Sequence, residues 1–431
     1  MLTTSVGVAI IAVTAIAPVA DAAKAKTKIM SVRSNGQQAN SDSETSSISA
    51  SGRFVAFDSG AKNLVTGDDN DKWDVFVHDR KKKRTKRVSV SSSGTEGNGF
   101  SSSPSISANG RFVAFASGAS NLVPFDNNGE NDIFVHDRKK KRTKRVSVSS
   151  SGTEGHGNSF APAISANGRF VAFTSSATDL VGNDSNLKSD VFVHDRKTKK
   201  TRRVSVSNAG KQATDASRGA AISKDGRFVA FSSVAENLVG SDSNGHRDIF
   251  VRDRTKKRTR LISKRNDGDQ TTSDSDAPSI SDDGRYVAFW SSAEDLLDRD
   301  DNGVGDIFVH DRAKKKTKLV SLSSKEKQAN GASFKARISS SGRYVAFESK
   351  AHNLVGNDAN ALDDIFVRDR TKGKTRRVSL RNGGGETDEA SSYTPAISGD
   401  GRFVTFYSAA TNLVGSDSNG SDDIFRRGPL H

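Results

Sequence analysis

The apolar positions of this chain fall in short consecutive runs and not at helical spacing. Arg111-Phe-Val-Ala-Phe-Ala-Ser117 and Ile133-Phe-Val-His136 are apolar at successive positions, which predicts strands covered on both faces. A largely polar loop separates them, from Gly118 to Asn131. Thr143-Lys-Arg-Val-Ser-Val148 alternates instead, as a half-exposed edge strand does. Upstream, Pro104-Ser-Ile-Ser107 is short and built of small residues, and it joins the Phe112 strand through Asn109-Gly110. Asn-Gly marks a tight hairpin because both turn positions take positive φ. Four strands, A to D in chain order, therefore fill residues 103–150.

This unit recurs along the chain. Its turn glycine falls at Gly52, Gly110, Gly168, Gly226, Gly284, Gly342 and Gly401. An Asp opening strand C keeps the same beat of 58 residues, with one final step of 59. Two anchors in step mean one structural unit repeated seven times. The prediction is an all-β, seven-bladed β-propeller of four-stranded antiparallel blades. A string of separate sandwiches would need more residues per domain. The chain ends supply the closure: Lys26 to Arg33 matches strand D alone, and Asp423-Ile-Phe-Arg-Arg427 matches strand C without a D. The N-terminal strand should complete the last blade, placing residues near 30 against residues near 424 and removing an open edge.

The repeat Ser-x-x-Gly-Arg-Phe-Val-Ala-Phe, then Asp-Ile-Phe-Val-x-Asp, then Thr-x-x-Val-Ser resembles the TolB-like propeller repeat, the Pro-Asp-Gly relative of the WD-type repeat. The resemblance covers residues 26 to 427. It departs at the family's proline, which is here Ala108, Ala166, Lys224, Asp282, Ser340 or Gly399, and in a longer B–C loop. It implies an exported propeller in a bacterial family better known for binding and scaffolding than for chemistry.

Composition narrows the picture. Hydrophobic content is 33% and glycine is abundant, which suits short strands joined by polar turns. The absence of cysteine excludes disulfides, thiolate metal sites and a Cys nucleophile. Val6 to Ala17 is an apolar run followed by Pro18 and Ala20-Asp21-Ala22, and residues 1–22 read as a signal peptide, too short to span a membrane. No positive side chain precedes Val6, which is atypical. The expectation is a single propeller over residues 23–431, exported to the periplasm or beyond, with no transmembrane segment after signal removal. The net charge of +15 favours anionic partners.

Antiparallel blades sort that charge onto two faces. The A–B and C–D turns share one, and the C–D turns carry Lys81, Lys82, Lys83, Lys139, Lys140, Lys141, Lys314, Lys315 and Lys316 among others. These lysines are either solubilising charge or a docking surface for an anionic polymer. Nucleic acid is not expected, since no aromatic residues are interleaved for base stacking. The opposite face carries the pattern Asp-x-Asn-x-x-x-Asp in every B–C loop. The first three copies are Asp68, Asn70, Asp74, then Asp126, Asn128, Asp132, then Asp184, Asn186, Asp190. The next two are Asp242, Asn244, Asp248 and Asp300, Asn302, Asp306. Asp358, Asn360, Asp364 and Asp417, Asn419, Asp423 complete the set. Alternating oxygen ligands suit Ca²⁺, although no Glu closes the loop. The same residues form Asx-turns that satisfy loop backbone with no ion at all.

Strand A should line the central channel, where its copies end in Ile-Ser preceded by Ser47, Ser105, Ala163, Ala221, Ser279, Arg337 or Ala396. None offers a carboxylate or imidazole for acid–base work. His78, His136, His194 and His310 share a strand-C position that is Arg252 and Arg368 elsewhere, which suits a hydrogen-bonded strand end. The chain is therefore expected not to be an enzyme but a monomeric binding or scaffold protein for a protein or an anionic envelope polymer. The alternative is a glycan-active or other hydrolytic propeller, for which a carboxylate pair at the channel mouth would be the sign. Trp73, Trp290, Pro124-Phe125 and Arg337 break the repeat and are where a unique site would lie.

Overall fold

The computed structural model describes residues 25–431 apart from Ser241, Arg299 and Glu389, so the signal-peptide expectation lies outside the described residues. Seven four-stranded antiparallel sheets form a ring. In blade 1 the strands are A Ser43–Ile48, B Phe54–Ser59, C Asp74–Asp79 and D Arg84–Arg87. Blades 2 to 6 repeat this order. Blade 7 consists of Ser392–Ile397, Val404–Ser408 and Asp423–Gly428, with Lys26–Ile29 as its D strand. Thr27 pairs with Arg427 and Ile29 with Phe425, which is the closure anticipated from the split repeat. Among the described residues, no helix is long and apolar enough to cross a membrane.

Two boundaries differ from the sequence expectation. Strand A of blade 2 begins at Ser101, and its register breaks between Ser102 and Ser105, where Ser103 takes a φ of 54°. Strand D ends at Arg145, and Val148 makes only an isolated bridge to Glu154. Alternation in sequence does not by itself supply a partner strand: beyond Arg145 only Val146 N still donates to strand C, at Ile133 O, 2.7 Å away.

The apolar runs are buried as their pattern demands. Each Phe-Val-Ala-Phe packs between adjacent blades, giving seven apolar clusters, one per interface, and the Met30–Ile424 cluster joins the last blade to the first. Within each blade the B and C strands stack a phenylalanine pair, for instance Phe115 on Phe134 with centroids 5.9 Å apart. The A–B turns also link around the axis: Ala50 N donates to Ala108 O, Ala108 N to Ala166 O, and Asp400 N back to Ala50 O.

The turn glycine has a second constraint beyond its hairpin. Gly110 has a φ of +72°, and a Cβ placed there would overlap the ring of Phe54 in the preceding blade. Every copy repeats this, down to Gly52 against Phe403 across the closure. Arg138 covers the same Phe54 ring at 4.5 Å from its centroid, and Arg53 lies at 4.7 Å. At Tyr344 the stacking partner is instead His431, at 4.5 Å.

Candidate functional site: two charged faces and a channel rim

On the turn face, not all of the arginine charge is free. Arg53, Arg111, Arg169, Arg227, Arg285 and Arg343 each form a bidentate pair with the Asp that ends strand C, as in Arg111 Nε to Asp137 Oδ1 at 2.9 Å and Nη2 to Oδ2 at 2.7 Å. That pairing and hydrogen bonds from the turn amides hold Asp137 well below its ordinary value, at about 2, against the opposing effect of burial. The Asp that ends strand C is therefore clamped within its own blade, while the Arg that follows it, as Arg138 does over Phe54, reaches the preceding blade. The lysines are different. Lys81–Lys83, Lys139–Lys141 and Lys314–Lys316 are all exposed, and none has an ion pair among the described residues.

A groove of 820 Å³ runs between blades 2 and 3 from this face. Lys140, Arg142, Lys144, Lys197 and Lys199 line it without carboxylate partners, and Asp137, already clamped by Arg111, is the acid in its wall. Smaller cationic grooves follow between blades 1 and 2 and between blades 4 and 5. Cations crowd one another here: after partial burial, the neighbours that hold Lys86 below the ordinary lysine value are Arg84, Lys141 and Arg138.

The acidic face is organised by hydrogen-bond donors. In blade 1 the guanidinium of Arg87 lies among Asp68, Asp74 and Glu96, 3.2 Å from Asp68 and 3.1 Å from Asp74. Arg145, Arg203 and Arg377 occupy the same place in blades 2, 3 and 6. Blades 4, 5 and 7 carry Leu261, Leu319 and Ile29 at that position. There a glutamine bridges the aspartates: Gln328 Nε2 donates to Asp300 at 2.7 Å and to Asp306 at 2.9 Å, and Gln38 donates to Asp417 and Asp423, both at 2.6 Å. In blade 4, Gln270 reaches Asp242 at 2.8 Å. The Asn of each loop accepts from the backbone two residues on, the Asx-turn geometry, as in Asn128 Oδ1 from Glu130 N at 3.0 Å. A calcium ion in these loops would have to displace a guanidinium or a glutamine amide. The signal was in the sequence, in a strand-D Arg or a downstream Gln in every blade, and blade 3 carries both, Arg203 and Gln212.

Burial raises several of these carboxyls. Asp300 is pushed up to about 7, first by burial and then by the charge of Asp306. Asp58, 3% exposed and without a cationic partner, is also raised to about 7 by burial. An acid with a raised folded-state value stabilises fully below its unfolded value of 3.8, and that contribution is lost as pH rises through 7. The buried histidines act oppositely. His136, bonded to Thr143 Oγ1 at 2.9 Å, is lowered by burial to about 4, so its contribution is lost as pH falls below 6.5. Between pH 6.5 and 8 the raised carboxyls lose their contribution, and exposed His156, held above its ordinary value by Asp179, acts in the same direction. The melting temperature should fall across that window, and Asp300→Asn should reduce the fall; a flat or rising profile would contradict this assignment.

The repeat breaks have mixed fates. Trp73 packs on the exposed Phe100 at 6.0 Å, and Trp290 stacks on Phe334 at 6.5 Å. Phe125 is 85% exposed, beside Pro124 in the wall of the groove between blades 2 and 3. One feature escaped the sequence reading. The fifth residue of strand B is Asp58, Ala116, Thr174, Ser232, Trp290, Glu348 and Tyr407 in successive copies, varying within an otherwise constant run. These side chains lie against the upper end of strand A in the next blade: Ser103 N donates to Asp58 at 2.8 Å and Thr394 N to Glu348 at 3.0 Å. Tyr407 stacks on Tyr393 at 5.4 Å and is pushed up to about 12 by burial, then by Asp422, Glu44 and Glu348. Carboxyl and phenol groups thus form an arc at the channel rim over blades 6, 7 and 1, where the strand-A residues alone suggested none.

No protein-family model and no curated protein matches the sequence. Solved structures do match the fold. An oligogalacturonate lyase in complex with manganese is similar with a TM-score of 0.56 and 11% identity, over 91% of this chain and 92% of that one. The propeller domain of the Trilobed protease from Pyrococcus furiosus gives 0.53 and 10%, over 91% and 98%. A TolB from Agrobacterium tumefaciens gives 0.42 and 12%, over 80% and 94%. The class is the seven-bladed β-propeller. The expectation that the chain is not an enzyme is corrected by this comparison, because the fold is shared with lyases and with a protease domain. Its physical basis was also incomplete: it considered strand A and overlooked the acids that strand B brings to the rim.

Proposed function

We propose that this β-propeller is an exported protein that binds a polyanionic polymer of the cell envelope or its surroundings on its lysine-bearing face. The observation that carries the reading is the groove between blades 2 and 3, whose free cations meet no carboxylate that is not already clamped. Lysine is a mobile point charge, suited to phosphate or carboxylate groups repeated along a flexible chain. Seven-fold repetition of the turns presents such charge around the disc, so a long polymer gains by multivalency what a single contact lacks. The test is retention on phosphocellulose. Lys139→Ser, Lys140→Ser and Lys141→Ser together should lower the eluting salt concentration, while Lys62→Ser with Lys188→Ser, on the opposite face, should not. Equal loss from both sets would mean that net charge alone governs retention, and the reading would fail.

A further inference from the structure

The A strands stand side by side around the axis, each against the next. At one position they carry Ser47, Ser105, Ala163, Ala221, Ser279, Arg337 and Ala396. This position looks across to the next blade: Ser105 Oγ accepts from Ile164 N and Ser279 Oγ from Ile338 N, both at 3.1 Å. In blade 6, Ala336 and Ile338 are buried in the cluster shared with blade 5. Strand alternation therefore puts Arg337 on the opposite side, toward blade 7, and its partial exposure opens it to the channel that the A strands enclose.

Arg337 has no counter-charge. Its Nη1 donates to Ala336 O at 3.0 Å, and no carboxylate pairs with it among the described residues. The nearest acid on that strand's side is committed elsewhere: Glu348 accepts from Thr394 N at 3.0 Å and lies 3.9 Å from Lys335. Burial is the cause that lowers Arg337 from its ordinary value, with no charged neighbour contributing. A guanidinium offers five N–H donors, and one carbonyl leaves most of that fork directed into the channel. Arg337 is half-buried, and an unpaired charge partly withdrawn from water is costly unless an ion of opposite sign accompanies it.

We propose that the central channel binds a small oxyanion, phosphate or carboxylate, in the fork of Arg337. A planar guanidinium holds either group through two parallel hydrogen bonds. The site is distinct from the lysine grooves, being on the axis and built from a single arginine.

The test follows the ³¹P line of inorganic phosphate with the full chain at fixed ionic strength. Wild type, and the variant with Lys139, Lys140 and Lys141 all changed to Ser, should both broaden the line. They should also melt higher in phosphate than in chloride. Arg337→Met should abolish both effects while still folding, since it removes an unpaired charge. Arg337→Lys, which keeps the charge without the fork, should weaken binding at least tenfold. Excess acetate should sharpen the wild-type line again, as one fork serving either oxyanion requires. Broadening that survives in Arg337→Met, or that disappears when Lys139, Lys140 and Lys141 are changed to Ser, would overturn the proposal.

Discussion

Gly110→Ala should destabilise the protein by about 3 kcal/mol, far more than a glycine-to-alanine change usually costs. Two effects combine. The φ of +72° disfavours an L side chain by roughly 1–2 kcal/mol. The new methyl also overlaps the Phe54 ring, and overpacking costs about 1–3 kcal/mol more. Phe54 cannot retreat easily, because Arg53 and Arg138 lie over its ring. Gly94→Ala is the control: its φ is +93°, but nothing lies within 4 Å of the added atom, so only the backbone cost applies. Urea midpoints should separate the two variants clearly. Equal losses would mean that the glycine serves its hairpin alone and that the blade-to-blade contact is not tight.

Arg87→Leu should cost about 3 kcal/mol, because it leaves Asp68, Asp74 and Glu96 buried or half-buried without their cation. The chain itself suggests the cure. Blades 4, 5 and 7 already place Leu or Ile at this position and use Gln270, Gln328 and Gln38 where blades 1 and 2 have Glu96 and Glu154. Adding Glu96→Gln to Arg87→Leu should therefore recover most of the loss, whereas Glu96→Gln alone should change little. A double variant no more stable than Arg87→Leu would show that the two arrangements are not interchangeable. If added Ca²⁺ raised the melting temperature of the wild type, the donors described for these loops would not be their resting partners.

The ring was legible because period, turn chemistry and apolar runs agree with one another. Asn109-Gly110, Phe112 to Phe115 and Ile133 to Val135 each name their own element, and the split last blade names its closure. The charged residues were less legible, because type does not reveal partner. Arg111 and Lys140 are both cations of one turn face, yet Arg111 is locked to Asp137 and Lys140 is free. Asp126 and Asp132 suit an ion or a guanidinium equally until Arg145 is placed between them. The rim groups Asp58, Glu348 and Tyr407 were hidden for another reason. They sit in strand B, and only the packing of one blade on the next carries them to the end of the channel.

The central claim is that a polyanion is held by the lysine turns, and its most direct test is titration with inorganic polyphosphate over a range of salt concentrations. For the wild type, log Kobs should fall linearly with log salt, as counterion release requires. Removing Lys139, Lys140 and Lys141 should weaken binding and make that slope shallower by about 2, since each contact to a flexible single-stranded polyanion contributes about 0.7. An unchanged affinity and an unchanged slope would contradict the account.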